Sequence, residues 1–320
     1  MATATTAPTL LELAHRTNDG NVIQIAEILN QTNPILADVP IRQSNNDTVE
    51  KIARRVALPT GAFRSINQGV SVEASQTESV NEAIGMLEAR SEQDADLVRT
   101  SPNPPAFRDS EDIAFVEGLG QTMASAIFYG NLAVDPEKFN GLAIRQPSIL
   151  ADYVYDGGGS GSDCTSVYAV KWGFQYVYGV TPRSGNPAGL SMADLGEQTV
   201  LDADSKKFQA LVSLFQWKLG LAVKDPRALK RIANIETTGS TNIFDEDLLI
   251  EALNDMPGDD SNIVIYVNGT IKTQMDIAAK GHANIDYTLG EYGGRSTTFF
   301  RGVPVRKVSA ILNTEDAITA

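Results

Sequence analysis

The chain is expected to adopt an α+β fold, and three observations carry that expectation. One stretch, 109–129, repeats apolar residues at helical spacing over about six turns. Two stretches, 168–180 and 215–223, alternate apolar and polar residues with a period of two. A leading segment, 9–70, is too poor in large apolar residues to build a core of its own. Fixing such a segment costs about 1–2 kcal/mol per residue in backbone entropy, so something outside it must hold it. A neighbouring copy of the same chain is the expected supplier.

In chain order, Thr9 caps a short helix carrying Leu10, Leu11 and Leu13, and Asn18-Asp19-Gly20 breaks it. A second helix follows with Val22, Ile25, Ala26 and Leu29, ended at Asn33-Pro34 because a residue before proline leaves the α region. Residues 42–69 alternate weakly and turn at Pro59-Thr60-Gly61, and a return limb runs from about 70 to 90. Val80, Ile84 and Leu87 suit a helix there, whereas Val80, Ile84 and Met86 fit one face of a strand. Two antiparallel limbs of a projecting loop are expected. Ser101-Pro102-Asn103-Pro104-Pro105 reads as a stiff linker. The helix after it is expected to be capped by Asp109 or Ser110, with Ile113, Val116, Leu119, Met123 and Ile127 as one stripe. Gly130 suits its end.

The period-two stretch at 168–180 predicts one long strand with Tyr168, Trp172, Phe174, Tyr176 and Tyr178 on a single face. A second strand over 215–223 is expected to pair with 227–235 as a hairpin across Asp225-Pro226. Asp245 caps a helix through Leu248, Leu249, Ala252, Leu253 and Met256, stopped by Pro257-Gly258. Residues 262–268 read as a short buried strand, 270–279 as a helix, and 297–312 as a last strand pair or a long bent strand.

Composition excludes several functions. The chain of 320 residues has 26 basic and 40 acidic residues, a net charge of −14, which argues against a basic nucleic-acid coat but not against a shell that encloses nucleic acid. No 18-residue apolar run is present, so no membrane span is expected, and MATATTAPT lacks the features of a signal peptide. The single cysteine, Cys164, excludes an intrachain disulfide and fits a reducing compartment. The sequons at Asn46 and Asn268 are therefore read as chance matches.

No pattern points to catalysis. His15 and His282 lack companion ligands, Cys164 has no histidine partner, and DGGGSGSDC lacks the lysine and helix of a phosphate loop, which leaves a loop tip as its default. Asp255, Asp259 and Asp260 lack calcium-loop spacing and read as a solvated turn. No catalytic, cofactor or metal residue is assigned, and the chain is read as a non-enzyme. What stands out is charge. Residues 42–69 carry Arg42, Lys51, Arg54, Arg55 and Arg64 against Asp47 and Glu50, a net of +3. Residues 70–99 carry Glu73, Glu78, Glu82, Glu88, Glu92, Asp94 and Asp96 against Arg90 and Arg99, a net of −5. Opposed patches steer and register partners. Lys51, Arg54, Arg55, Arg64, Glu78, Glu82 and Glu88 are therefore the candidate inter-subunit contacts.

The order of segments resembles a family. TLLELAHRTNDGNVIQIAEILNQTNPILADVP, LPTGAFRSINQGV, FRDSEDIAFVEGLGQTMASAIFYGN, DPEKFNGLAIR, SVYAVKWGFQYVYGVTP, FQWKLGLAVKDPRALKRIANI and FRGVPVRKV together look like major capsid proteins of short-tailed, double-stranded DNA phages. The resemblance implies the Hong Kong 97-type capsid fold. It places an N-terminal arm at 1–45 and an extended loop at 46–90. A peripheral domain falls at 91–150 and 286–320 with its spine helix at 109–129, and an axial domain at 151–285.

The same resemblance implies a structural subunit assembling into hexamers and pentamers of an icosahedral head that encloses DNA, located in the virion and assembled in the bacterial cytoplasm. A separate scaffold protein, a portal and a decoration protein are the partners implied. Some relatives cross-link subunits through a Lys–Asn bond; Lys51 lies in the loop, but no matched motif accompanies it. The alternatives are a nanocompartment shell of the same fold, which encloses an enzyme, and a tail-tube or adhesion protein, against which the long helix and the arm argue.

Overall fold

The computed structural model describes residues 17–18, 21–22, 31–183, 189–202, 204–239, 241–281, 287–292 and 295–319. The first expected helix, most of the second, and both histidines lie outside the described residues. The described part of residues 17–22 is a strand pair, β1 (Thr17–Asn18) against β2 (Asn21–Val22), which puts Val22 in a strand instead of the expected helix.

The chain then enters its own core. A one-turn helix, α1 (Ile35–Asp38), buries Ile35 completely, and β3 (Ile41–Gln43) pairs in parallel with a later strand. For residues 31–43 the supplier of binding energy is therefore the same chain. Asp38 makes the point: its carboxylate accepts from Tyr266 at 2.8 Å and from Arg306 at 2.6 Å. Burial still raises its pKa against those two partners.

Two limbs follow, β4 (Val49–Ala57) antiparallel to β5 (Gln76–Ala83), so the return limb is strand and not helix. Its continuation, β6 (Gly85–Asp94), changes sheet, and the break at Ile84 shifts the alternation. Leu87 consequently packs on the core and Met86 is 55% exposed, the reverse of the single-face strand reading. A short helix α2 (Ala95–Thr100) is capped by Asp94, which accepts from the Asp96 and Leu97 amides.

The long helix α3 spans Pro104–Tyr129 and is capped by Asn103. It begins five residues before the expected start. Pro104 and Pro105 occupy its first turn, where a missing N–H costs nothing and the fixed φ is already helical. At 1.5 Å per residue it runs about 39 Å. The stripe also differs: Leu119, Met123 and Ile127 are buried, but Ile113 and Val116 are 55% and 43% exposed.

The expected strand at 168–180 is two strands in two sheets. β8 (Cys164–Lys171) is buried on both faces, and β9 (Val177–Thr181) follows a turn in which the Tyr176 amide donates to the Gly173 carbonyl at 2.9 Å. Gly173 sits at φ +154 and Phe174 is half exposed, so the alternation survives on each side of a chain reversal. The hairpin β10 (Leu190–Leu201) with β11 (Lys207–Val223) has β6 along the other side of β11 and β9, then β3, beyond its end. β12 (Leu229–Glu236) does not return along β11, as the hairpin reading required. An Asp225-capped turn at Pro226–Ala228 carries the chain to the other sheet, where β12 pairs antiparallel with β8 and parallel with β7 (Val154–Asp156).

That other sheet has seven strands, in the order β14 (Tyr287–Tyr292), β15 (Arg295–Phe300), β16 (Val303–Lys307), β13 (Ile263–Val267), β8, β12, β7. It runs unbroken across the division expected at 285/286. One face carries α4 (Glu246–Asn254), capped by Asp245, and α5 (Gly269–Gly281), with Leu249, Leu253, Ile271 and Met275 against Val167, Ile232, Ile265 and Val305. The opposite face receives the C-terminal half of α3. Phe128 meets Tyr168 at 5.3 Å between ring centroids, and Met123 and Ile127 join Val170, Val264 and Tyr266. The N-terminal half of α3 lies instead on β6 and β11, where Phe115 stacks on Phe215 at 5.7 Å and Ser213 donates to Asp112 at 3.1 Å.

The glycine-rich loop after β7 is docked, not a free tip. The Gly157 and Gly159 amides donate to the Ala233 and Asn234 carbonyls, both at 2.8 Å. A Cβ on Gly159 would stand 2.5 Å from the Asn234 oxygen, so this approach requires glycine.

Candidate assembly surfaces

The seven charged candidates sit in two different settings. At the root of the β4–β5 ribbon, Glu50 and Glu82 face each other across the strands, both buried. Like charges in this position repel unless each is compensated. Glu50 accepts from Arg42, from the Tyr178 hydroxyl at 3.0 Å and from the Asn45 amide at 2.7 Å. Burial and the nearby Glu50 push the Tyr178 hydroxyl pKa up. Glu82 takes a two-pronged grip from Arg145, at 2.7 and 2.9 Å, and lies 3.8 Å from Arg54. Arg145 continues to the Leu221 carbonyl at 2.8 Å, and Arg54 to the Lys224 carbonyl at 3.1 Å. Arg54 and Glu82 are thus held inside their own chain, where they fix the angle at which the ribbon leaves the body.

The other candidates are exposed. Lys51 and Arg55 lie on the outer face of β4, with Asn81 and Thr77 opposite them. Glu78 is exposed opposite Arg54, so the basic and acidic limbs are cross-strand neighbours in one ribbon and not two separate patches. Glu88 belongs to β6 and accepts from Gln216 of β11. Arg64 donates to the Gln68 carbonyl at 3.0 Å in the loop beyond the strands.

That loop carries the feature charge counting missed. Every residue from 58 to 79 is exposed. Within that run Phe63 and Val72 are fully exposed, Ile66 is 90% exposed, and Leu58 and Val70 are 70% and 52% exposed. A contiguous apolar surface of this kind marks an interaction site. The signal was present in LPTGAFRSINQGV as apolar residues without periodicity, which assigns neither face nor partner.

Elsewhere, chemistry is spent on packing. Lys171 and Lys230 are buried lysines that reach Asp259 and Asp255, tying the 255–260 turn to β8 and β12. Burial pushes the Cys164 thiol up, away from nucleophilic character. Asn268 is 2% exposed, so its sequon is closed to modification in the folded chain. Among the described residues no group of His, Cys, Asp and Glu is placed to hold a metal ion.

Comparison with known proteins gives a consistent result. The family model described as "Major capsid protein GP7" matches residues 17–319. A solved structure of bacteriophage epsilon15 is 29% identical and superposes with a TM-score of 0.76, covering 99% of each chain. The capsid of bacteriophage JBD30 is 9% identical with a TM-score of 0.50, covering 90% of this chain and 95% of that one, a likeness of fold alone. An encapsulin complex from Synechococcus elongatus reaches a TM-score of 0.47 at 10% identity over 73% of this chain and 98% of that one, too loose to bear on function. No curated protein matches.

Proposed function

Since the chain belongs to the major capsid protein GP7 family, with a Hong Kong 97-type α+β fold, and is a structural subunit of a phage capsid shell, we propose that it closes an icosahedral head as hexamers and pentamers around double-stranded DNA. The observation that carries this reading is the agreement with the epsilon15 chain over 99% of both lengths. The projecting ribbon supports it, because a surface with this much exposed apolar area finds partners when copies surround one another. Obligate interfaces commonly bury about 2,000–5,000 Å² in total.

In this reading residues 46–84 form the extended loop and the exposed Lys51, Arg55, Arg64, Glu78 and Glu88 meet neighbouring subunits. The β10–β11 hairpin packs with the first half of α3, so we assign 190–223 with the spine helix to the peripheral region. The seven-stranded sheet with α4 and α5 forms the axial region. The arm is shortened to 1–30, since residues 31–43 are core. The net charge of −14 keeps packaged DNA from adhering to the shell. Assembly takes place in the host cytoplasm with a scaffold, a portal and a decoration protein as partners.

Negative-stain microscopy of the recombinant full chain tests this, with closed shells the expected result. A truncation lacking residues 1–30 is expected to leave soluble subunits that fail to close. Normal shells from that truncation would remove the arm from the account, and a co-purifying protein cargo in place of DNA would turn the reading to a nanocompartment.

A further inference from the structure

The exposed tip of the ribbon is braced from within. The Glu73 carboxylate reaches across the loop and accepts from the Thr60 amide at 2.7 Å, the Gly61 amide at 3.2 Å and the Thr60 hydroxyl at 3.2 Å. These bonds join the two ends of the 60–73 segment. Inside the ring so formed, the Gln68 amide donates to the Ser65 carbonyl at 3.2 Å and Arg64 to the Gln68 carbonyl at 3.0 Å, with Asn67 at φ +69. Polar groups thus point inward to one another while Phe63, Ile66 and Val72 point out. This inverts the usual order, and it makes sense only if the apolar side chains are completed by another surface.

We propose that Glu73 is a preorganising clamp, holding the 60–73 ring in the shape in which Phe63, Ile66 and Val72 dock onto a second copy of this chain. The inference rests on the capsid-subunit reading above. A second copy is the occupant because a subunit of a capsid shell is surrounded by copies of itself. Across residues 46–84 the ribbon has four basic and five acidic residues, a net of −1, so the apolar side chains and not net charge carry the docking. A loop already in its bound shape loses less conformational entropy on docking, so the clamp acts on assembly and not on subunit folding.

The experiment uses the full chain as dissociated subunits, with assembly started by raising concentration and followed by light scattering. Four variants are compared: Glu73→Gln, Glu73→Ala, Asp47→Asn, and the double change Phe63→Ser with Ile66→Ser. Glu73→Ala is expected to raise the assembly threshold about three- to tenfold, and Glu73→Gln by less, with subunit thermal stability unchanged. Asp47→Asn removes the same charge from the same ribbon, at an exposed position outside both the ring and the proposed contacts, and is expected to assemble normally. The double change is expected to abolish assembly. If it assembles normally, the docking reading itself fails. If it is blocked while Glu73→Ala matches the unaltered chain, the clamp alone is overturned. Equal slowing by Asp47→Asn, or a lowered melting temperature in Glu73→Ala, would also overturn the clamp, because either would show a charge effect or a folding effect in its place.

Discussion

The two irregular segments of this subunit, the C-terminal strap at 308–319 and the ribbon tip at 58–75, solve the same problem in opposite ways. Neither has enough regular structure to satisfy its own backbone. The strap borrows partners from the whole body. The Val308 amide donates to the Val267 carbonyl at 2.8 Å, Ser309 to Thr32 at 2.9 Å, Glu315 to Cys164 at 2.9 Å and Ala317 to Gly161 at 2.8 Å. At its centre Glu315 is 8% exposed and accepts from Arg231 at 3.1 Å, from Ser166 and from the Tyr129 hydroxyl. The tip's bonds stay within the ribbon, and its apolar side chains face outward. The strap is therefore completed when one chain folds, whereas the tip leaves its apolar side chains uncovered. A subunit that must exist before its shell needs this division, since an element reserved for neighbours cannot also hold the monomer together.

That contrast can be broken most directly at the strap. Glu315→Ala leaves Arg231 buried without its carboxylate, and removal of one partner of a buried pair costs about 3–5 kcal/mol. Chemical denaturation of dissociated subunits should show a loss of that size, and a loss below about 1 kcal/mol would mean that the strap is not an anchor. A smaller loss is expected at the ribbon root. Glu82→Ala frees Arg145, which keeps its bonds to the Asn140 and Leu221 carbonyls, so about 2–3 kcal/mol is expected. This variant should also misdirect the ribbon, and electron microscopy should show open or irregular shells. Wild-type stability together with wild-type shells would dismiss the root as a hinge.

At the tip the effect on folding should nearly vanish. Phe63→Ser should move subunit stability by less than about 0.5 kcal/mol, as exposed substitutions do, while sharply weakening shell formation. A large loss of subunit stability would show that the tip is part of the monomer's fold after all. The smallest effect is expected beneath α3. Burial raises the Asp112 pKa above the ordinary carboxylate value. A carboxyl whose folded pKa is raised contributes stability below the unfolded pKa and loses it as pH rises through the folded value. Asp112→Asn should therefore flatten the subunit's melting temperature as pH rises above the ordinary carboxylate value of about 4 and leave stability at neutral pH equal or slightly higher. An unchanged pH profile would show that Asp112 stays ionised.

Much of the architecture was legible locally. Asp245 caps its helix and 263–267 is a strand buried on both faces, because side-chain periodicity and capping chemistry act over a few residues. The long helix was legible in its body but not in its start, since two prolines read as a linker until a preceding asparagine is seen to cap them. The site was legible only in part. Charge segregation drew attention to the ribbon, yet Glu82 turned inward onto Arg145, 63 residues away, and Arg54 onto the Val223 and Lys224 carbonyls. Nothing in the pattern around 145 signals that meeting.

By itself, then, the sequence determined most element types, the α+β class and the excess of acid. Only the tertiary structure decided which sheet each strand joins, that the chain reverses between Lys171 and Val177, and that β12 deserts β11 for β8. It alone decided which charges are consumed within one subunit and which remain outside. The physical reason is range: hydrogen-bond periodicity and capping are set by residues a few positions apart, whereas strand partners and the compensation of buried charge depend on groups brought together from distant parts of the chain.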